Sequence, residues 1–216
     1  MTMRPGFPGS PADADSPPYG RLLAERVAVL GGPLDDEAAG SLTAQLIMLQ
    51  RADGERGLSL YINSPGGRFP AFAALHDTLR AVAADQPVET VCFGRAEGTA
   101  AALLAAGTPG QRLILPSALA VLRQPEYGEE DFARPREAES GARRVAAEHD
   151  RLVGLLAEYT GRTVERVRVD LERPLPMEAS AAVGYGLADR IAHRLRPIPG
   201  RPAGRPGSQG SPGTGW

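Results

Sequence analysis

Apolar residues recur along this chain in two alternating registers, one of strand type and one of helix type. Val27-Ala-Val-Leu30 is short, rich in β-branched residues and followed by Gly31-Gly32-Pro33, which predicts a strand ending in a turn. Ala39, Leu42, Leu46 and Leu49 then recur at intervals of 3, 4 and 3, a helical stripe that Asp35 or Asp36 can cap. Leu58 to Ile62 alternates and closes on Asn63-Ser64-Pro65-Gly66-Gly67, a second strand and a tight turn. Phe72, Leu75, Leu79 and Val82 repeat the helical spacing behind Pro70, a residue suited to a first helical turn. Val88 to Phe93 predicts a third strand, with Gly94 opening the next turn. Thr99 to Ala106 predicts a helix of small residues stopped by Gly107. Short strands are expected near 112–115 and 119–122, and residues 136–160 form the longest periodic stretch. Strands alternating with helices mean βαβ units, so the expected class is α/β with a mostly parallel sheet covered by helices. No internal repeat is visible.

The long stretch places Ala142, Val145, His149, Leu152 and Leu156 on one face, which reads His149 as a histidine satisfied in a core or subunit interface. His76 and His193 lie far from it in sequence without ligand-spaced acids, so no metal and no cofactor are expected. Cys92 is the only cysteine, which excludes an internal disulfide. The two ends differ from the centre: residues 1–18 hold five prolines, and residues 197–216 hold five prolines and six glycines. They read as flexible segments, 1–18 and 196–216, around one domain spanning 19–195. A net charge of -2 argues against a nucleic-acid or anionic-membrane partner held by bulk charge. The run Ala100–Ala106 is far short of a membrane span, and the N-terminus lacks a leader's apolar stretch, so the cytoplasm is the expected location. All 24 basic residues are arginine, which together with 34 alanines reads as the codon bias of a GC-rich genome.

Four segments carry a resemblance. Glu25-Arg-Val-Ala-Val-Leu-Gly-Gly-Pro-Leu-Asp-Asp36, Leu60-Tyr-Ile-Asn-Ser-Pro-Gly-Gly67, Leu103-Leu-Ala-Ala-Gly107 and Gly184-Tyr-Gly-Leu-Ala-Asp189 resemble the ClpP family, the proteolytic subunits of the ATP-dependent Clp protease. The likeness runs from about Tyr19 to Ile191 in order and spacing. It implies a ClpP/crotonase-like fold of stacked βαβ units with a protruding strand-helix handle, here about 124–160. It also implies seven-membered rings, stacked in pairs around a chamber and capped by a Clp ATPase that feeds in unfolded substrate.

The family's chemistry is acyl transfer by serine, histidine and aspartate: a nucleophile, a base near neutral pH and a carboxylate that orients the base. The resemblance puts the serine position at Gly98, in Gly94-Arg-Ala-Glu-Gly-Thr-Ala100. It puts the histidine position at Arg123, in Val121-Leu-Arg-Gln-Pro125, and the aspartate position at Pro174. Glycine has no side chain, arginine stays protonated and proline has no carboxylate. The oxyanion-hole amides would be those of Gly67 and Thr99. The substrate-pairing edge would be Glu126-Tyr-Gly-Glu-Glu-Asp131, whose four carboxylates make a poor generic peptide-binding edge. Glu97 and Arg123 are opposite charges aimed at the vacated pocket; two readings stay open, an ion pair that fills it or two side chains that each point to solvent.

The expected function is thus that of a catalytically inactive ring subunit, structural or regulatory in role, whose partners are an active paralogue and a Clp ATPase. Two alternatives are open at this point. One is a hydrolase with a relocated nucleophile, for which Thr99 and Ser64 are the neighbouring hydroxyls. The other is an acyl-ligand binding protein that uses the retained amides.

Overall fold

The computed structural model describes residues 17–125, 127 and 138–195. The segment expected at 1–18 lies outside them but for its last two residues. So do the tail expected at 196–216, most of the carboxylate-rich edge after Pro125, and part of the expected handle.

Helix α1 (Pro17–Ala24) leads into β1 (Val27–Leu30), followed by α2 (Asp36–Ala52), β2 (Leu58–Ser64), α3 (Phe69–Asp85) and β3 (Val88–Glu97). Then come α4 (Thr99–Ala105), β4 (Arg112–Ile114), β5 (Leu119–Leu122) and the long α5 (Ala138–Thr160). The chain closes with α6 (Val164–Leu171), β6 (Leu175–Glu178), α7 (Ala179–Tyr185) and β7 (Arg190–Ile191). Strands order as β1-β2-β3-β4-β7, every neighbouring pair parallel. The fold is therefore the α/β class expected from the alternating registers, with helices over a mostly parallel sheet.

Strand β3 serves two neighbours in turn. Thr90–Cys92 pairs with β4, and Arg95–Glu97 pairs with β5, which in turn carries β6 antiparallel. The sequence suggested a turn at Gly94, but the strand runs through it to Glu97. Gly94 marks a close approach instead: a Cβ there would collide with the Asn63 side-chain amide, whose Oδ1 accepts from the Arg95 N–H at 3.2 Å.

The two stripes read as helical are buried as expected. Leu42, Leu46, Phe72, Leu75 and Leu79 all lie in the main core between sheet and helices. Asp35 is the N-cap of α2, accepting from the Ala38 N–H at 2.8 Å. The stripe on α5 differs from its reading. Leu152 and Leu156 are fully buried, but Val145 and His149 are half-buried and Ala142 is exposed, so the helix leaves the core toward its N-terminus. Helix α6 was not legible because Val167, Val169 and Leu171 alternate like a strand. Thr163 caps it, and only Val167, Asp170 and Leu171, at helical spacing, face inward.

Candidate functional site

The site is a corner where β3 ends. After Glu97 the chain passes through Gly98 at φ 54° and ψ −117°, then enters α4 at Thr99. A positive φ with this ψ suits glycine and strains other residues. The Gly98 N–H donates to the Val121 carbonyl at 2.8 Å, which pins the corner to β5. A Cβ on Gly98 would point at Arg123, 3.3 Å from its Cγ and 3.4 Å from its carbonyl oxygen. Pro174 reaches the same corner from β6. Pro174 is exposed and lies one residue before the Leu175–Leu122 pair of the antiparallel ladder, at the end of β5 from which Arg123 follows. The three positions singled out by resemblance therefore converge, and none carries a hydroxyl, a proton acceptor or a carboxylate on its side chain.

Arg123 lies over this corner. Its Nε is 3.3 Å from Glu97 Oε2, with the two side chains 25% and 19% exposed. Its Nη2 donates to the Pro65 carbonyl at 2.5 Å, tying β5 to the turn after β2. Arg95 Nη1 approaches the other carboxylate oxygen of Glu97 at 3.1 Å. Glu97 thus stands between two guanidinium groups. Sequence reasoning aimed Glu97 and Arg123 at one place but missed Arg95. The period-2 pattern of Phe93, Arg95 and Glu97 would have found it, had the strand been read through Gly94.

Beneath the corner lies the Gly66-Gly67 turn. Gly66 has φ +81°, and a Cβ there would collide with the Glu97 carbonyl oxygen, so only glycine fits. A Cβ on Gly67 would collide with the Leu34 backbone. Gly67 and Thr99 are brought together, but not as an open pair of amides. The Gly67 N–H donates to Thr99 Oγ1 at 2.9 Å, and the same hydroxyl reaches the Gly67 carbonyl at 3.3 Å. Thr99 is fully buried. Ser64 is equally buried, its Oγ accepting from the Gly66 N–H at 3.0 Å. No hydrogen bond among the described residues joins a histidine to either hydroxyl. His76 is held instead by Asp77 and by the Tyr159 hydroxyl, at 2.9 and 2.7 Å.

A second feature lies on the sheet face away from the main core. Tyr19 and Leu22 of α1, Tyr61 of β2, Phe93 of β3 and Leu195 line an apolar cavity of about 440 Å³. Phe93 and Tyr61 meet with ring centroids 6.1 Å apart, and Leu22, Phe93 and Leu195 are exposed. Burial, with the Glu89 carboxylate near it, raises the Tyr61 hydroxyl above its ordinary pKa.

Comparison with known proteins places these features in a family. The Clp protease family model matches residues 12–194. An ATP-dependent Clp protease proteolytic subunit-like protein of Streptomyces coelicolor is 44% identical, over 86% of this chain and 84% of its own length. ATP-dependent Clp protease proteolytic subunit 2 of the same organism is 42% identical, over 81% and 78%. Proteolytic subunit 1 of Corynebacterium glutamicum is 41% identical, over 81% and 82%.

Proposed function

Because the chain belongs to the Clp protease family, we propose that it is a Clp proteolytic-type subunit without peptidase chemistry of its own. It fills positions in a ring shared with active subunits, under a Clp ATPase, and shapes the chamber and the docking face. One observation carries this reading: the strand-to-helix corner turns on a glycine, and Gly98 faces Arg123, which is itself held by Glu97. Removing a whole triad from a serine hydrolase costs about 10⁶-fold in turnover, and among the described residues no histidine is hydrogen-bonded to Ser64 or Thr99 to substitute. Ser64 and Thr99 are buried and committed to backbone groups, which disfavours a relocated nucleophile.

The surface supports a life in assembly. Ile47 and Met48 on α2 and the apolar cavity around Tyr61 and Phe93 leave large apolar side chains in water in two separate patches. Such patches mark contacts with partner chains. The test is native mass spectrometry of the chain alone and mixed with the active proteolytic subunit of the same cell, with peptidase activity read in the same samples. A mixed ring with altered turnover is expected, the sign of the change giving inhibitor or activator. Peptide cleavage by the chain alone, or no association with the active subunit, would overturn the proposal.

A further inference from the structure

We propose that Thr99 is an internal lock on the acyl site, closing it to peptide carbonyls and other acyl ligands independently of the missing triad. This rests on the proposed reading of the Gly98 corner as the family's acyl-transfer site.

Stabilising a developing oxyanion needs an N–H whose acceptor position is open. Effective donors lie about 2.7–3.1 Å from the place the oxygen will occupy. At Gly67 that place is filled: Thr99 Oγ1 sits 2.9 Å from the Gly67 nitrogen. The occupant is held from several sides. The hydroxyl also reaches the Gly67 carbonyl at 3.3 Å, and a Cβ on Gly66 would lie only 3.0 Å from it, so backbone covers it directly. Thr99 is fully buried at the first residue of α4, and β-branching restricts its χ1. An incoming carbonyl would therefore have to displace a neutral oxygen from within the chain. It would also leave a buried hydroxyl without its partners, which costs the full desolvation of that group. The lock explains why the retained Gly-Gly turn does not amount to an open acyl-binding site.

The experiment compares two chains with the triad rebuilt as Gly98→Ser, Arg123→His and Pro174→Asp, one of them also carrying Thr99→Ala. Both are treated with a fluorophosphonate, and labelling at position 98 is followed by mass spectrometry. The chain carrying Thr99→Ala is expected to label about 10²-fold faster, the usual worth of one oxyanion donor. Equal rates would overturn the lock. Because the rebuilt chains depend on three other changes, a second measurement uses the natural chain with Thr99→Ala alone. Amide hydrogen exchange at Gly67 is expected to speed up at least about tenfold once its acceptor is gone, and unchanged protection would overturn the proposal. Labelling of the natural chain itself would overturn the reading of an inert subunit and leave the Thr99 comparison to be judged separately.

Discussion

A hydroxyl introduced at residue 98 alone would face an arginine, not a base, among the described residues. Its nearest side chain is Arg123, and a guanidinium offers donors but no proton acceptor. Gly98→Ser by itself is therefore expected to remain unlabelled by a fluorophosphonate. It is also expected to lose about 1–3 kcal/mol of stability, because φ 54° is strained for any residue but glycine. Intact-mass analysis and urea unfolding read the two effects in one preparation, and rapid labelling would mean that a base lies at hand. Glu97→Gln tests the pair across the corner. It takes the Glu97 carboxylate away from Arg123 and is expected to cost about 1 kcal/mol, less at high salt, by thermal unfolding. The letters of the sequence were enough to aim Glu97 at Arg123, since both sit at positions that matched family motifs. They could not show that Thr99 turns its hydroxyl onto Gly67. That contact depends on a χ1 angle and on a turn 32 residues away, and no local periodicity reports either.

At the scale of elements, one arginine does the joining. Arg112 on β4 donates from Nη1 to the Tyr159 carbonyl at the end of α5 and the Gly186 carbonyl at the end of α7, both at 2.9 Å. Its Nε meets both oxygens of Asp189 at 3.0 Å, just before β7. Burial pushes the Asp189 carboxyl up, but the hydrogen bonds and charge of Arg112 outweigh it and hold the group below the usual carboxylate range. A depressed folded-state pKa means stability present above the unfolded value and lost as pH falls through the folded one. Asp189→Asn is thus expected to cost about 2–3 kcal/mol at neutral pH. The gap between natural and mutant chains should close below about pH 4, near the unfolded aspartate pKa. Urea denaturation at several pH values measures it, and a pH-independent gap would remove Asp189 ionisation as the cause. The element pattern was legible where apolar spacing is strong, as in α2 and α3. It failed for α7 and β6, which are short, and for β7, which is two residues long. These are held by long-range contacts such as Arg112–Asp189, and a joint of that kind leaves no periodic trace in the sequence.

At the scale of the whole molecule, the helical face of the sheet is sealed by one continuous core, while among the described residues the other face is not. Beyond a small cluster of Val91, Leu113 and Ala192, that face presents the apolar cavity edged by Phe93. Phe93 is 38% exposed and belongs to a strand whose inward residues Cys92 and Ala96 are fully buried, so its side chain contributes to the surface more than to the fold. Filling the cavity with charge should therefore spare the subunit and cost the partner. Phe93→Asp is expected to change stability by less than about 1 kcal/mol, the ordinary range for a surface position. In the proposed mixed ring it is expected to weaken capture of the Clp ATPase at least tenfold, because a charge buried against an apolar partner surface lacks a partner. Native mass spectrometry separates the alternatives. A ring that persists while ATPase binding falls assigns the cavity to the docking face. A ring that falls apart moves the cavity into the subunit interface. Unchanged ATPase binding would leave the apolar exposure on α2, at Ile47 and Met48, as the surface through which the assembly is built.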